Sequence, residues 1–212
     1  MEDFQKSKDE IKTKMTDKLL NYVRDGTIQY NSQDFMKCYS IIQNFGNSDN
    51  YAKELLNFHN EVIEQATNES YEKIKDLSGD EFIDAFITYT DRLNFIILKM
   101  SHTFSFLSFY YIKFTKSKDL GEISLDLYKK NFFDKLQDKL FPILKELTNK
   151  EGKDENIENK IKTIMKIIDY LDFIKPKIIS NKVKNSSEWI EDSKEKVENP
   201  KVYQKKWNDF KA

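Results

Sequence analysis

The chain contains 212 residues, of which 39% are hydrophobic, 33% charged and 14% aromatic, so it can bury a core and is not an intrinsically disordered chain. Lys plus Arg total 35 and Asp plus Glu total 36, and the resulting net charge of −1 gives no general attraction to nucleic acid or to an anionic membrane. Only 5 Gly and 3 Pro are present, fewer turn-forming residues than a sheet protein needs, so long helices are favoured.

The first third of the sequence shows apolar residues at spacings of three and four, which is the pattern of amphipathic helices. Glycines and small polar caps separate each helix from the next. We expect a helix from about Asp3 to Val23 stopped by Asp25-Gly26, a short helix from Asn31 or Ser32 to Gly46, and a third helix from Ser48 that continues or restarts to Leu77.

The stretch from Phe82 to Lys116 carries a wide apolar stripe. Its width predicts a central helix that is covered on two sides, and at 1.5 Å per residue this helix would be about 50 Å long. Ser78 and Glu81 have the spacing of a capping box at its start. Polar residues such as Asn94 and Lys99 interrupt the stripe, so a buried core helix is favoured over a transmembrane one.

The remaining sequence also reads as helices, with a charged segment, residues 148–155, that is the best candidate for a domain boundary. Strand-like alternation does not appear, so the predicted fold class is all-α. The expected features are a cap formed by Asp119 and Glu122, a kink or restart at Pro142, a helix from Ile157 to Leu171 stopped by Lys175-Pro176, a short helix capped by Ser186 or Ser187 around Trp189, and a last helix that begins at Asn199-Pro200.

Groups suited to catalysis or metal binding are scarce. His59 and His102 lack metal-ligand spacing; we expect His59 at a surface or helix cap and His102 among core positions of the central helix. Cys38, the lone cysteine, is expected to be a small core residue. Glycine-rich phosphate loops, nucleophile elbows and H-E-x-x-H motifs do not occur. We therefore predict no catalytic site, no metal and no cofactor, and favour a helical scaffold or binding module over a small helical enzyme.

The cysteine count and the N-terminus bear on the compartment. A single cysteine excludes an internal disulfide and suits a reducing environment. The N-terminus lacks the basic and apolar regions of a signal peptide. We therefore expect a soluble protein of the cytosol or nucleus.

Paired aromatic and aliphatic residues recur in three segments of the chain, namely 34–39 (DFMKCY), 104–112 (FSFLSFYYI) and 123–133 (ISLDLYKKNFF). They resemble the second helix, the fifth helix and a following run of leucines and aromatics in the N-terminal domain of cullins, the elongated helical scaffolds of multisubunit ubiquitin ligases. Residues 157–173 are similar to the first helix of the second cullin repeat, and Ser187-Glu188-Trp189 with Tyr203 are similar to a later segment. The resemblance spans roughly Phe4 to Phe210.

The resemblance implies an elongated all-α bundle of cullin-repeat type. Residues 1–150 would form one complete, adaptor-binding repeat and residues 151–212 the beginning of a second. The chain would be a non-catalytic scaffold of a RING-type ubiquitin ligase that binds a Skp-type or BTB-fold adaptor through its second and fifth helices, without nucleic acid or membrane partners. The residues expected to lie exposed and bind the adaptor are Phe35, Met36, Tyr39, Ile42, Gln43, Leu107, Tyr110 and Tyr111.

Alternatives remain open at this point. The same eight residues could all belong to the core. Cullins usually carry Asn or Asp followed by Arg where Ser108-Phe109 stand, and often a second Tyr where Gln43 stands. A RING-box subunit would be a partner only if a further C-terminal region exists, so a fragment and a short natural protein are both compatible with the sequence. The rival function is a stand-alone helical interaction module, such as a tether, coat subunit or decoy, unrelated to ubiquitin transfer.

Overall fold

The structure of the chain is a computed structural model that describes residues 2–27, 31–113, 118–148 and 155–179. Regular elements in these ranges are helical and none of them is a strand, so the predicted all-α fold is confirmed. The elements, in chain order, are α1 (Glu2–Ile11), π1 (Lys12–Thr16), α2 (Asp17–Asp25), α3 (Ser32–Phe45), α4 (Asp49–Ile74), α5 (Gly79–Thr103), α6 (Ser105–Leu107), π2 (Ser108–Ile112), α7 (Leu120–Tyr128), π3 (Lys129–Phe133), α8 (Asp134–Thr148) and α9 (Glu155–Ile179).

Local capping chemistry sets several helix ends where the sequence predicts them. Gly26 ends α2 in the left-handed conformation, with φ of 78°, which a glycine adopts without a Cβ penalty. The Asn31 side chain accepts a hydrogen bond from the Asp34 N–H at the start of α3. Asp119 and Glu122 form a complete capping box on α7. Ser78 is the N-cap of α5, but its side chain makes no capping hydrogen bond. The capping box predicted from Ser78 and Glu81 is therefore wrong.

The central helix is shorter than the sequence predicts. α5 ends at Thr103, so its 25 residues span about 37 Å, and Phe104 leaves helical dihedrals with φ of −92° and ψ of 8°. Thr103, Phe104, Phe106 and Leu107 are all buried. In a regular helix, in which successive residues turn by 100°, these four side chains would spread over about 160° of the circumference. Residues on both sides of the break at Phe104 therefore contribute to the core.

Three π-helical turns adjust the register of the buried stripes. In π3 and the helices that flank it, buried side chains recur every four residues, at Leu120, Ser124, Tyr128, Phe132 and Leu136. A four-residue step overshoots a 3.6-residue turn by about 40°, so such a stripe would rotate away from the core in a regular α-helix. A π turn, which closes i→i+5 hydrogen bonds, accommodates one additional residue and returns the stripe toward the core.

α5 lies at the centre of the packing, as predicted. It contacts α2, α3, α4 and α7, and its buried face carries an aromatic cluster. The Phe86 ring stacks on Phe132 with centroids 5.7 Å apart and planes 16° apart. The buried Thr90 hydroxyl and Tyr128 hydroxyl lie 3.1 Å apart, which satisfies two polar groups inside the core.

The later helices depart from the expected ends. α8 continues through Pro142, so the helix does not restart there. α9 continues past Lys175-Pro176 to Ile179, so the predicted stop is wrong; a proline removes one intrahelical hydrogen bond but the helix on either side can persist. The predicted helices around Trp189 and after Asn199 lie outside the described residues, as do residues 149–154 of the expected boundary segment.

The chain forms two compact units, Met1–Ile168 and a second that begins at Asp169 and includes the end of α9. The division into residues 1–150 and 151–212 stays a prediction. No described helix combines the length and the apolar character that a bilayer crossing requires.

Candidate functional site

α3 has one face toward the core and one toward solvent. Cys38 and Ile42, four residues apart and therefore on the same side of the helix, are fully buried. On the opposite side Met36 is 58% exposed and Gln43 is exposed. Tyr39 is half-buried at the edge of that outer face. α3 therefore offers solvent a mixed apolar and polar face along its length.

Ion pairs hold α3 against the first helical segment. The Asp34 carboxylate accepts from Lys18 Nζ at 2.7 Å and from Lys14 Nζ at 3.2 Å. These hydrogen bonds, from Lys18 first and then Lys14, lower the pKa of the Asp34 carboxyl. One turn further along, Lys37 pairs with Glu10 of α1. The charged groups beside Met36 are thus largely neutralised within the chain.

The end of α3 rests directly on the helical segment after Phe104. A Cβ built on Gly46 would lie 2.9 Å from Phe106 Cδ1 and 3.0 Å from Leu107 Cδ2, closer than a real Cβ contact allows. The Tyr110 ring stacks on Phe106 at a centroid distance of 4.2 Å and an interplanar angle of 20°. Glycine at position 46 is therefore required by close approach, and α3 adjoins the segment that carries Tyr110.

The structure divides the eight predicted binding residues into two groups. Ile42 and Leu107 are 0% exposed, so the expectation that they lie on the surface is wrong. The physical reason is that Ile42 shares the inner face of α3, and Leu107 lies under Gly46. We call the remaining six the α3–π2 surface; Met36, Gln43 and Tyr110 are exposed, and Phe35, Tyr39 and Tyr111 are half-buried. A binding role for these six stays a prediction.

Phe109 is an exposed residue that the sequence reasoning missed. It is 68% exposed, next to Tyr110 at 54%. Composition predicts that an aromatic residue in the apolar run from Phe104 to Ile112 is buried, whereas Phe109 is exposed. The available signal was its place in the pair Ser108-Phe109, which departs from the pattern of the resembled family.

The titratable core groups are structural. His59 is fully buried and not at a surface or cap, and burial lowers its pKa to about 4. Its Nδ1 lies 3.1 Å from Asn60 Oδ1 and its Nε2 lies 3.5 Å from the Ser124 hydroxyl. Cys38 is fully buried, so its predicted core position is confirmed, and this burial raises the pKa of its thiol to about 11. His102 is exposed, contrary to expectation.

Across the residues that the structure describes, no cluster of His, Cys, Asp and Glu side chains could hold a metal ion. Several buried polar side chains bond within the chain, as Thr90 does with Tyr128.

Comparison with known proteins gives one match. The family model of the Cullin alpha solenoid domain matches residues 14–211. Comparisons with curated proteins and with solved structures gave no match. The matched range covers nearly all of the chain and includes both α3 and the segment from Ser105 to Ile112. The chain therefore belongs to the cullin family.

Proposed function

We propose that the chain is a non-catalytic scaffold, the N-terminal helical part of a cullin-like subunit of a RING-type ubiquitin ligase. In this function it binds a Skp-type or BTB-fold adaptor through α3 and the segment from Ser105 to Ile112. The match to the Cullin alpha solenoid domain over residues 14–211 supports the scaffold role. We place this activity in the cytosol or nucleus.

The observation that carries the binding site is the exposure of large apolar side chains on the α3–π2 surface. Met36 is 58% exposed and Tyr110 is 54% exposed, whereas Cys38 and Ile42 on α3 and Ile112 on π2 are buried. Large apolar side chains that share an exposed surface mark candidate contact sites, and these two lie on elements that meet at Gly46. Methionine adapts its shape to a partner, and tyrosine buries a large ring with few rotors to immobilise.

The arrangement of α3 and the segment from Ser105 to Ile112 also suits a continuous interface. From Met36 to Gly46 the α3 backbone rises about 15 Å, and at Gly46 it reaches the segment that carries Tyr110. The buried Ile42 and Leu107 support this surface from below, so its two helical parts are held in a fixed relation. A fixed surface loses little conformational freedom when a partner binds.

The test uses residues 1–212 and one purified adaptor of each class, with affinity measured by calorimetry. We expect one class to bind. The double variant Met36→Ala, Tyr110→Ala should bind about 30-fold more weakly, because truncation of central interface side chains commonly costs about 2 kcal/mol in total. The matched control is Leu98→Ala, which removes an aliphatic side chain that is 51% exposed on α5.

Two outcomes would contradict the proposal. In the first, neither adaptor class binds the wild-type chain at tens of micromolar while other proteins are captured, and this result would favour a stand-alone helical interaction module. Alternatively, Leu98→Ala could weaken binding as much as the double variant, which would move the site away from the α3–π2 surface. Circular dichroism melts of all variants show whether each remains folded.

A further inference from the structure

The first helical segment of the chain lies along α3 in the opposite direction; we call residues 2–16, which form α1 and π1, the N-terminal strap. Near the end of α3 the Phe4 ring lies edge-on to Phe45, with centroids 5.1 Å apart. Near its start, Lys14 Nζ lies 3.2 Å from Asp34 Oδ1. These two contacts are ten residues apart on the strap and eleven apart on α3, so each spans about 15–17 Å of helix. The strap therefore follows α3 over most of its length.

The C-terminal end of α3 is held by apolar packing. Phe4 is 4% exposed, and its ring also stacks on Tyr51 of α4 with centroids 4.3 Å apart. At Gly46 the packing leaves no room for a Cβ beside Phe106. Neither contact involves a charged group, so dissolved salt does not screen either of them. This end of α3 is therefore a fixed point.

The start of α3 is held by a chain of charges instead. The Asp34 carboxylate accepts hydrogen bonds from Lys18 Nζ of α2 at 2.7 Å and from Lys14 of the strap. Glu10 of the strap pairs with Lys37 of α3 and lies 3.9 Å from Lys14 Nζ. We call these five residues the α3 latch. Their side chains are 15–55% exposed, so ions in solution reach them, and ion pairs with this exposure are weak and are screened by salt.

The α3 latch determines which way the first turns of α3 face. These turns precede Cys38, the first fully buried residue of the helix. Asp34 and Lys37 lie within about 60° of each other on the helix circumference, on the side of the strap. Met36 lies about 200° from Asp34 and is 58% exposed. If the latch opens, the start of α3 can move relative to its fixed end, and Met36 moves with it.

We propose that the α3 latch is a salt-sensitive device that holds the start of α3 in its binding orientation, with Asp34 as the positioning residue. The inference rests on the proposed function and adds to it a regulation by ionic strength. A chain whose latch is open presents Met36 in other orientations for part of the time. Its apparent affinity for an adaptor falls in proportion to the fraction of chains that remain in the binding orientation.

Hydrogen exchange of the free chain tests the latch without an adaptor. Asp34→Asn keeps the size of the side chain and removes the charge that pairs with both lysines. We expect amides 36–39 to exchange about fivefold faster in this variant, and amides 42–45 to change by less than about twofold, because the packed end stays in place. The matched control is Glu69→Gln, which removes a charge from the Arg24–Glu69 pair between α2 and α4 and should leave the exchange of α3 unchanged.

Adaptor affinity, measured by calorimetry at about 0.05 M and about 0.5 M NaCl, tests the consequence for binding. At low salt Asp34→Asn should bind about fivefold more weakly than wild type, and at high salt, where the wild-type latch is also weakened, the two affinities should agree within about twofold. Charges on the adaptor act on both chains alike, so this convergence reports the latch. Glu69→Gln should follow wild type at both salt concentrations. A residue that only stabilises the fold would not produce a difference that depends on salt.

The outcomes separate this inference from the proposed function. Equal exchange rates at amides 36–39 in wild type and Asp34→Asn would overturn the latch, as would an affinity ratio that does not change with salt. The double variant Lys14→Gln, Lys18→Gln removes the same pairs from the other side; it should reproduce both results, and it decides the question if Asp34→Asn does not fold. Failure of both adaptor classes to bind wild type would remove the proposed function, whereas the exchange rates would still decide whether the latch exists.

Discussion

Gly46→Ala gives the sharpest test of how α3 is seated. The backbone of Gly46 has φ of −66°, which alanine adopts freely. At an open site of this conformation, Gly→Ala stabilises a protein by about 0.4–1 kcal/mol because it restricts the unfolded chain. In this structure the added Cβ would lie 2.7 Å from the Ile42 carbonyl oxygen and 2.9 Å from Phe106 Cδ1. Overpacking of a filled site costs about 1–3 kcal/mol.

The two effects have opposite signs, so the measured sign decides between them. We expect a net loss of about 1–2 kcal/mol in the free energy of unfolding, measured as a lower urea midpoint at unchanged m-value. Asn44→Ala, at an exposed position of the same helix, is the control and should change stability by less than about 0.5 kcal/mol. In a Phe106→Ala background the cost of Gly46→Ala should fall by about 0.5 kcal/mol or more. A stabilising Gly46→Ala would show that α3 does not rest on Phe106 and Leu107.

Two further predictions concern buried titratable groups. Burial holds the pKa of His59 at about 4, below its ordinary value of 6.5. Between these two pH values the unfolded chain binds a proton at His59 that the folded chain does not bind. The free energy of unfolding should therefore fall by about 3 kcal/mol as pH falls from about 6.5 to 4. The urea midpoint of wild type should therefore fall more steeply over that range than that of His59→Gln, and parallel pH profiles would refute the assignment. Cys38 is fully buried with a pKa raised to about 11, so a thiol reagent at pH 8 should label it only at the rate of unfolding; immediate labelling of the folded chain would contradict its burial.

The features that sequence reasoning predicted well depend on local chemistry. Gly26, Asn31 and the pair Asp119 and Glu122 act within a few residues of where they stand, through a left-handed turn or a side-chain cap. Their effect can therefore be read without knowledge of the rest of the fold. The central packing position of α5 was also predictable, because an apolar stripe wider than one contact requires cover on two sides.

The features that sequence reasoning missed depend on distant contacts. At the break the Phe104 ring contacts the buried His59, with centroids 5.3 Å apart, and no local residue signals this distant contact. The π2 turn buries Ile112 and leaves Tyr111 half-buried, an arrangement that periodicity at 3.6 residues cannot reveal. The family resemblance led to the expectation of Leu107 on the surface and gave no role to Phe109, although the structure buries the first and exposes the second.

Hydroxyl-radical footprinting by mass spectrometry tests the central claim most directly, because it compares solvent access of individual side chains in the free chain and with adaptor bound. Met36 and Tyr110 are reactive residue types that are exposed in the free chain, and Leu98 serves as an internal reference. We predict that a bound Skp-type or BTB-fold adaptor lowers oxidation of Met36 and Tyr110 severalfold and leaves Leu98 unchanged. Unchanged oxidation of Met36 and Tyr110 in a complex that protects other residues would contradict an adaptor site on the α3–π2 surface.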